Sequence, residues 1–210
     1  MIKHIFFDFN GTLIDDVNLC LELLNGLLAS QGKASIDLKR YKQVFKFPIK
    51  DYYLDAGIDF SIESFESMAV RFIDEYQPKS LLCGLYEGVV DTIKELREKG
   101  IKTYILSASE KNNLIEQCKH YKIVDLFDDI LGIDNIHAGS KLDIALEYMK
   151  SSNINKNEAM FVGDTLHDYE VARAMGVGCV LVSCGHQCVE VLGQAGVPIV
   201  SSVKDIIREV

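Results

Sequence analysis

The sequence predicts an α/β protein: a doubly wound parallel sheet with an all-helical insertion behind its first strand. Three observations carry that expectation. From Gly84 onward, short apolar runs alternate with helix-like stretches, the pattern of parallel strands joined by helical crossovers. Residues 15–80 contain no strand pattern, so a helical segment separates the first strand from the second. Several apolar runs also stop at a polar residue, at the edge where open α/β sheets bind ligands.

Ile5, Phe6 and Phe7 form a fully apolar run that reads as a buried parallel strand. It ends at Asp8, Asn10, Gly11 and Thr12. Residues 17–30 read as a helix from the mixed three- and four-residue spacing of Leu19, Leu21, Leu23, Leu24, Leu27 and Leu28. Asp15 and Asp16 stand where a cap is favoured, and Gln31, Gly32 and Lys33 end the helix. Residues 37–47 are helical up to a break at Pro48, and residues 51–56 follow. A longer helix opens over residues 61–64 and runs to Gln77. It carries Phe65, Met68, Ala69, Phe72 and Tyr76 on one face, and Pro78 is expected to stop it.

The alternating part then takes over. Residues 87–99 are helical and end at Gly100; residues 101–106 form a strand ending at Ser107, Ala108 and Ser109. A helix over 110–121, a strand over 129–133, a loop over 134–140 and a helix over 141–150 follow. The strand at 158–162 ends at Gly163 and Asp164, and the helix over 165–175 ends at Gly176. A strand at 178–183, a helix at 189–195, a short strand at 199–200 and a helix at 203–209 close the chain. The expected organisation is a Rossmann-like core, 1–14 plus 83–210, with a helical unit at 15–82.

Composition narrows the function classes. Hydrophobic residues make up 48% and charged residues 25%, ordinary for a globular protein with a sizeable core. No apolar run approaches a membrane span, and the amino terminus lacks a secretory pattern. Thirty-one acidic against 22 basic residues give a net charge of −9, and no basic tract offsets it, so neither a nucleic-acid nor a membrane partner is expected. The six cysteines have no framework spacing and read as reduced thiols in a cytoplasmic protein. Cys184, His186 and Cys188 lack the second ligand pair that a structural zinc site needs and read as a loop after a strand.

An acidic protein that handles an anionic substrate must gather positive charge locally. Asp8, Ser107, Lys141 and Asp164 each follow a strand of the sheet and fall on one edge. Singly, each could be a helix cap or a solvated side chain. Jointly they suit phosphoryl chemistry. Magnesium prefers oxygen ligands such as the Asp8 and Asp164 carboxylates. An ionised Asp8 can attack phosphorus, Ser107 can donate to a phosphoryl oxygen, and Lys141 supplies a point charge. No GxGxxG follows the first strand, which argues against a dinucleotide site.

Asp8-x-Asn10-Gly11-Thr12, the strand ending at Ser107, Lys141, and Gly163, Asp164, Thr165 and Asp168 together resemble the four motifs of the haloacid dehalogenase-like (HAD) phosphohydrolases, in order and approximate spacing. The helical unit at 15–82 looks like the C1-type cap of that superfamily, as in phosphoglycolate phosphatase-like members. The resemblance implies an enzyme that hydrolyses phosphate monoesters of small metabolites with Mg2+. Asp8 would be nucleophile and metal ligand, Asn10 a ligand through its backbone carbonyl, and Asp164 a direct ligand. Thr12 would support the loop, Asp168 would position metal-bound water or Lys141, and Ser107 and Lys141 would hold the phosphoryl group.

The sequence departs from the pattern at Asn10, where those phosphatases carry a second aspartate that acts as general acid and base. An amide exchanges no proton at neutral pH, and general acid–base catalysis is typically worth about 10²–10⁴ in rate. The readings are an enzyme whose proton moves by another group, an inactivated variant of an active phosphatase, and a catalytically weak phospholigand-binding protein. The Asn10-Gly11 dipeptide is also prone to deamidation.

In C1-capped relatives the cap sets specificity. Residues 46–53 are a proline-broken turn with Lys46, Lys50 and three aromatic residues. An inward Lys46 or Lys50 would receive a second anionic group, such as the carboxylate of a phosphoglycolate-like substrate. A cap lysine would also suit the Schiff-base chemistry of a phosphonoacetaldehyde-type C–P hydrolase, a lower-ranked alternative.

Overall fold

A computed structural model describes residues 1–133 and 140–210. Most of the loop expected at 134–140 lies outside the described residues. Among these residues six strands form one parallel sheet: β1 (His4–Phe7), β2 (Lys102–Glu110), β3 (Asp129–Ile133), β4 (Ala159–Gly163), β5 (Gly178–Val182) and β6 (Ile199–Val200). Among the described residues nine α-helices accompany them: α1 (Val17–Ser30), α2 (Leu38–Val44), α3 (Ile49–Ala56), α4 (Phe65–Ser80), α5 (Val89–Glu98), α6 (Lys111–His120), α7 (Lys141–Ser151), α8 (Leu166–Met175) and α9 (Val189–Leu192).

The strand order is β3-β2-β1-β4-β5-β6. The chain builds outward from β1 to one side, then returns to build outward on the other. β1 and β4 therefore flank the point where the order reverses, and ligands of open α/β sheets bind outside the carboxyl ends of such strands. In register, Phe7 lies opposite Ile105 on one side and Val162 on the other. The next residue, Asp8, is anchored by its backbone N–H, which donates to the Val162 carbonyl at 2.8 Å.

β1 is buried on both faces, which explains its unbroken apolar run. Ile5 and Phe7 pack with Ile93, Leu96, Ile105 and Leu114 beneath α5 and α6. Phe6 points to the other face and packs with Phe161, Val171, Ala172 and Met175 beneath α7 and α8. Helices α1–α4 bury an apolar cluster of their own, including Leu24, Leu28, Tyr41, Tyr52, Tyr53 and Met68. No helix among the described residues is long and apolar enough to cross a membrane.

Four local expectations need correction. Pro78 does not stop α4, which continues to Ser80. The lost N–H falls in the final turn, and that turn is held from outside: Gln117 donates to the Ser80 hydroxyl at 2.7 Å and the Tyr121 hydroxyl to the Ser80 carbonyl. β2 does not stop at the serines but runs to Glu110 through a register shift after Leu106, a bulge that re-aims side chains at a sheet edge. Asp16 precedes α1 yet makes no cap hydrogen bond, because its carboxylate turns inward. Residues 203–209 form 3₁₀ turns instead of an α-helix.

Candidate active site

The strand ends converge on one buried cluster. Asp8 follows β1, and Lys141 opens α7 with Ser140 as its cap. The Lys141 Nζ lies 2.5 Å from Asp8 Oδ1 and 2.6 Å from Asp168 Oδ1, and 5.1 Å from the centre of the Phe161 ring. Asp168 Oδ2 accepts hydrogen bonds from the Thr165 hydroxyl (2.7 Å), the Thr165 N–H (2.9 Å) and the Asp164 N–H (3.1 Å). Asp168 thus closes a capping box with Thr165 at the start of α8 while holding Lys141 with its other oxygen. Gly163 makes room for it: a Cβ there would sit 2.3 Å from Asp168 Cγ.

Asp164 lies across from this pair. Its Oδ1 accepts from the Thr12 hydroxyl at 3.0 Å and its Oδ2 from the His186 backbone N–H at 2.6 Å. Gly11 and Gly185 let the surrounding backbone close over it, since a Cβ on Gly185 would sit 2.1 Å from Asp164 Oδ2 and one on Gly11 2.4 Å. Gly11 also has a φ of +71°, a left-handed turn that favours glycine.

The electrostatics ask for a cation. Oxygens of Asp8, Asp164 and Asp168 all lie within 4.8 Å of one another, and Lys141 is the one lysine among them. Burial pushes the Asp8 carboxyl well up, opposed by Lys141 and reinforced by the neighbouring carboxylates. Burial likewise raises Asp164, to about 6. For Asp168, burial raises the pKa but Lys141 and Thr165 outweigh it, and the net shift is downward. Lys141 is raised: burial works against its charge, and Asp168 and Asp8 overcome it. A divalent ion with oxygen ligands fits this surplus of negative charge. Asp8 and Asp164 could hold it, since Asp8 Oδ1 and each Asp164 oxygen accept a single hydrogen bond, whereas Asp168 Oδ2 already takes three donors and its Oδ1 holds Lys141.

Asn10 is the centre of a second network. One amide N–H donates to Asp16 Oδ2 at 2.9 Å and the other to the Tyr76 hydroxyl at 2.5 Å. Its Oδ1 accepts from the Ser109 hydroxyl at 2.9 Å and from Ser107 at 3.5 Å. A carboxylate can only accept, so Asp16 fixes which way the amide faces, and its hydrogen-bonding capacity is used in full. Asp16 is fully buried and also accepts from Tyr76 (2.6 Å) and the Gly11 N–H (2.9 Å), with His186 Nε2 at 3.3 Å. Burial raises its carboxyl, but His186, Tyr76 and Asn10 outweigh that and leave it below its usual range. The same bonds restrain deamidation: the Gly11 nitrogen that would attack Asn10 is tied to Asp16 and to the Ile14 carbonyl.

Sequence reasoning missed Asp16, Tyr41, Tyr76, Ser109 and His186. His186 was within reach, because the polar-residue-after-a-strand rule applied to four strands holds equally for β5. Its Nδ1 lies 2.8 Å from the Tyr41 hydroxyl and its ring stacks on Phe45 at 4.5 Å. Lys42 donates to the Cys184 carbonyl at 3.1 Å and Gln187 to the Phe45 carbonyl at 2.7 Å. The loop after β5 is therefore where α2 docks on the sheet.

A cavity of about 380 Å³ opens above Asp8. Asp8, Asn10, Ser107, Lys141, Asp164 and Asp168 line its floor, and aromatic residues of α2–α4 line its walls. Phe65, Ala69, Phe72, Ile73 and Tyr76 of α4 face it, the stripe that helical spacing brings to one side. Lys46 and Lys50 do not line it. Lys46 is half-exposed and pairs with Asp55 at 2.6 Å, while Lys50 is exposed and sits over the Phe60 ring at 5.7 Å. The expectation that either points inward is corrected, because both leave their charge at the surface. The basis for a cap-lysine Schiff base goes with it.

A family model described as haloacid dehalogenase-like hydrolase matches residues 5–182. A phosphoglycolate phosphatase of Pseudomonas fluorescens (strain Pf0-1) is 30% identical over 192 residues, covering 88% of this chain and 70% of that protein. Phosphoglycolate phosphatase 1 of Pseudomonas aeruginosa is 26% identical over 193 residues, with the same coverage. Among solved structures, a haloacid dehalogenase-like family hydrolase from Streptococcus pneumoniae superposes with a TM-score of 0.83 at 20% identity, covering 99% of this chain and 98% of that one.

Proposed function

The chain belongs to the haloacid dehalogenase-like hydrolases, and from that premise we propose a magnesium-dependent phosphatase that cleaves small phosphate monoesters through an aspartyl-phosphate on Asp8. The observation that carries the reading is one buried lysine clamped between Asp8 and Asp168, with Asp164 alongside, where the strand order reverses. In this reading α1–α4 act as a C1-type cap, and the chain works in a reducing cytoplasm with its six cysteines free.

Mg2+ held by the Asp8 and Asp164 carboxylates and the Asn10 backbone carbonyl would neutralise phosphoryl charge and keep Asp8 ionised. Thr12 and the His186 N–H keep Asp164 in place. Asp168 fixes Lys141, whose remaining N–H points its charge at the phosphoryl oxygens. The Ser107 hydroxyl donates to another of those oxygens. An Asp8 oxygen attacks phosphorus as the ester oxygen departs, and water then cleaves the acyl phosphate and regenerates Asp8. Asn10 moves no proton. Its saturated amide supports a residue built into the site and speaks against an aspartate lost from it.

The test is hydrolysis of a panel of phosphate monoesters with and without Mg2+, by the native protein and by Asp8→Asn. Turnover that requires Mg2+ and disappears in a folded Asp8→Asn protein is expected. Turnover retained by Asp8→Asn, or undiminished by chelation, would overturn the reading.

A further inference from the structure

Resting on that phosphatase reading, we propose that the substrates are phosphate monoesters of phenols, in which the aryl group fills the aromatic cavity between α4 and the sheet edge. Three independent observations converge on this class.

The first is the wall of the cavity. Phe45, Tyr52, Tyr53, Phe65, Phe72 and Tyr76 line it, and its volume of about 380 Å³ lies within the range of small-molecule sites, roughly 300–1,000 Å³. Flat aromatic walls favour a flat apolar guest through area burial and ring-on-ring contact.

The second is charge. Lys141 is the only lysine or arginine lining the cavity among the described residues, against the carboxylates Asp8, Asp16, Glu110, Asp164 and Asp168. Lys141 is already shared between Asp8 and Asp168, and His186 is held by Asp16 and Tyr41. Glu110 occupies the start of α6 by accepting from the Asn112 and Asn113 N–H groups. Among the described residues, a substrate carboxylate entering with the phosphate finds no unshared lysine or arginine on the lining, to which Glu110 adds negative charge. An alkylammonium group is equally poorly served, because Asp16 is matched by His186 and Glu110 by backbone donors.

The third is the leaving group. Asn10 lines the same cavity as Asp8, two residues after it, where the resembling phosphatases carry their acid, and its amide has no proton to give. A phenol ionises near pH 10, as tyrosine does, whereas water ionises at about 15.7 and aliphatic alcohols behave similarly. As an Asp8 oxygen bonds to phosphorus, the bond to the aryl oxygen breaks and the electron pair leaves as phenolate, which takes its proton from solvent afterwards. Water then adds to phosphorus, the bond to Asp8 breaks, and inorganic phosphate and a proton are released. Only a good leaving group completes the first step without an acid.

The experiment compares kcat/KM for 1-naphthyl phosphate, 2-phosphoglycolate and phosphocholine with Mg2+. It also measures binding of the non-hydrolysable phenylphosphonate and phosphonoacetate to Asp8→Asn by calorimetry. We expect 1-naphthyl phosphate to be preferred on the order of 10²-fold, the lower end of what a general acid supplies, and phenylphosphonate to bind more tightly than phosphonoacetate. Phe72→Ala should weaken phenylphosphonate on the order of three- to tenfold, more than it weakens inorganic phosphate. Preference for phosphoglycolate or phosphocholine would overturn the substrate class and leave the phosphatase standing. Absence of turnover on every ester would remove the phosphatase reading, and the binding comparison would then decide the ligand class alone: equal or reversed affinities would overturn it.

Discussion

Replacing Asn10 with aspartate should destabilise this protein at neutral pH, although it restores the residue usual in related phosphatases. The amide nitrogen lies 2.9 Å from Asp16 Oδ2, so the substitution sets two carboxylate oxygens at that separation around a fully buried Asp16. With both ionised, repulsion at an effective dielectric near 20 is about 6 kcal/mol. The pair escapes by keeping the new carboxyl protonated. Holding it neutral costs about 4 kcal/mol at pH 7 and about 1.5 kcal/mol at pH 5, reckoned from an unfolded pKa near 3.9. Because the folded pKa of the new group is raised, the folded state holds more protons than the unfolded state, and the variant's stability falls as pH rises. Urea unfolding of Asn10→Asp and the native protein in EDTA should show a deficit of about 2–4 kcal/mol at pH 7 that shrinks toward pH 5. Adding Asp16→Asn should recover much of it as a coupling term in a double-mutant cycle. A variant as stable as the native protein at pH 7, or a deficit independent of pH, would refute the network around Asn10.

Three further outcomes follow from the geometry. Lys141→Met leaves Asp8 and Asp168 buried without their cation and should cost about 3–5 kcal/mol along with all turnover; calorimetric unfolding checks the first and a phosphate-release assay the second. His186 is raised to about 8: burial alone lowers it, and Asp16 more than compensates. A raised imidazole stabilises the fold fully below about pH 6.5, and that contribution is lost as pH climbs through 8. The difference amounts to about 2 kcal/mol, and a denaturation series from pH 6 to 9 should show this fall in the native protein and not in Asp16→Asn. Gly185→Ala drives a methyl group into Asp164 and should weaken Mg2+ binding by isothermal titration while the far-ultraviolet circular dichroism spectrum stays native.

Much of the fold could be read from the chain because its signals are local. Ile5, Phe6 and Phe7 must be buried on both faces wherever they sit, and the glycines Gly100 and Gly176 end their helices with positive φ. The errors arose where partners distant in sequence decide the outcome. Ser80 is held by Gln117 and Tyr121 from α6, so α4 outlasts Pro78. Asp16 looks like a helix cap until Tyr76 and His186 are brought beside it. The floor of the site was legible because strand ends of a parallel sheet must share an edge. Its walls were not, because whether Lys46 points inward depends on Asp55, a surface partner that no motif marks.

The central claim is that Asp8 accepts the phosphoryl group. The direct test is rapid acid quench of the protein mixed with 1-naphthyl phosphate and Mg2+, followed by peptide mapping. Without a carboxylate base at position 10 to activate water, the acyl phosphate should accumulate as a burst approaching one naphthol per active site. The phosphoryl group should lie on the peptide containing Asp8 and be absent in Asp8→Asn. Steady hydrolysis with no phosphorylated peptide, or a phosphoryl group on any other residue, would contradict the account.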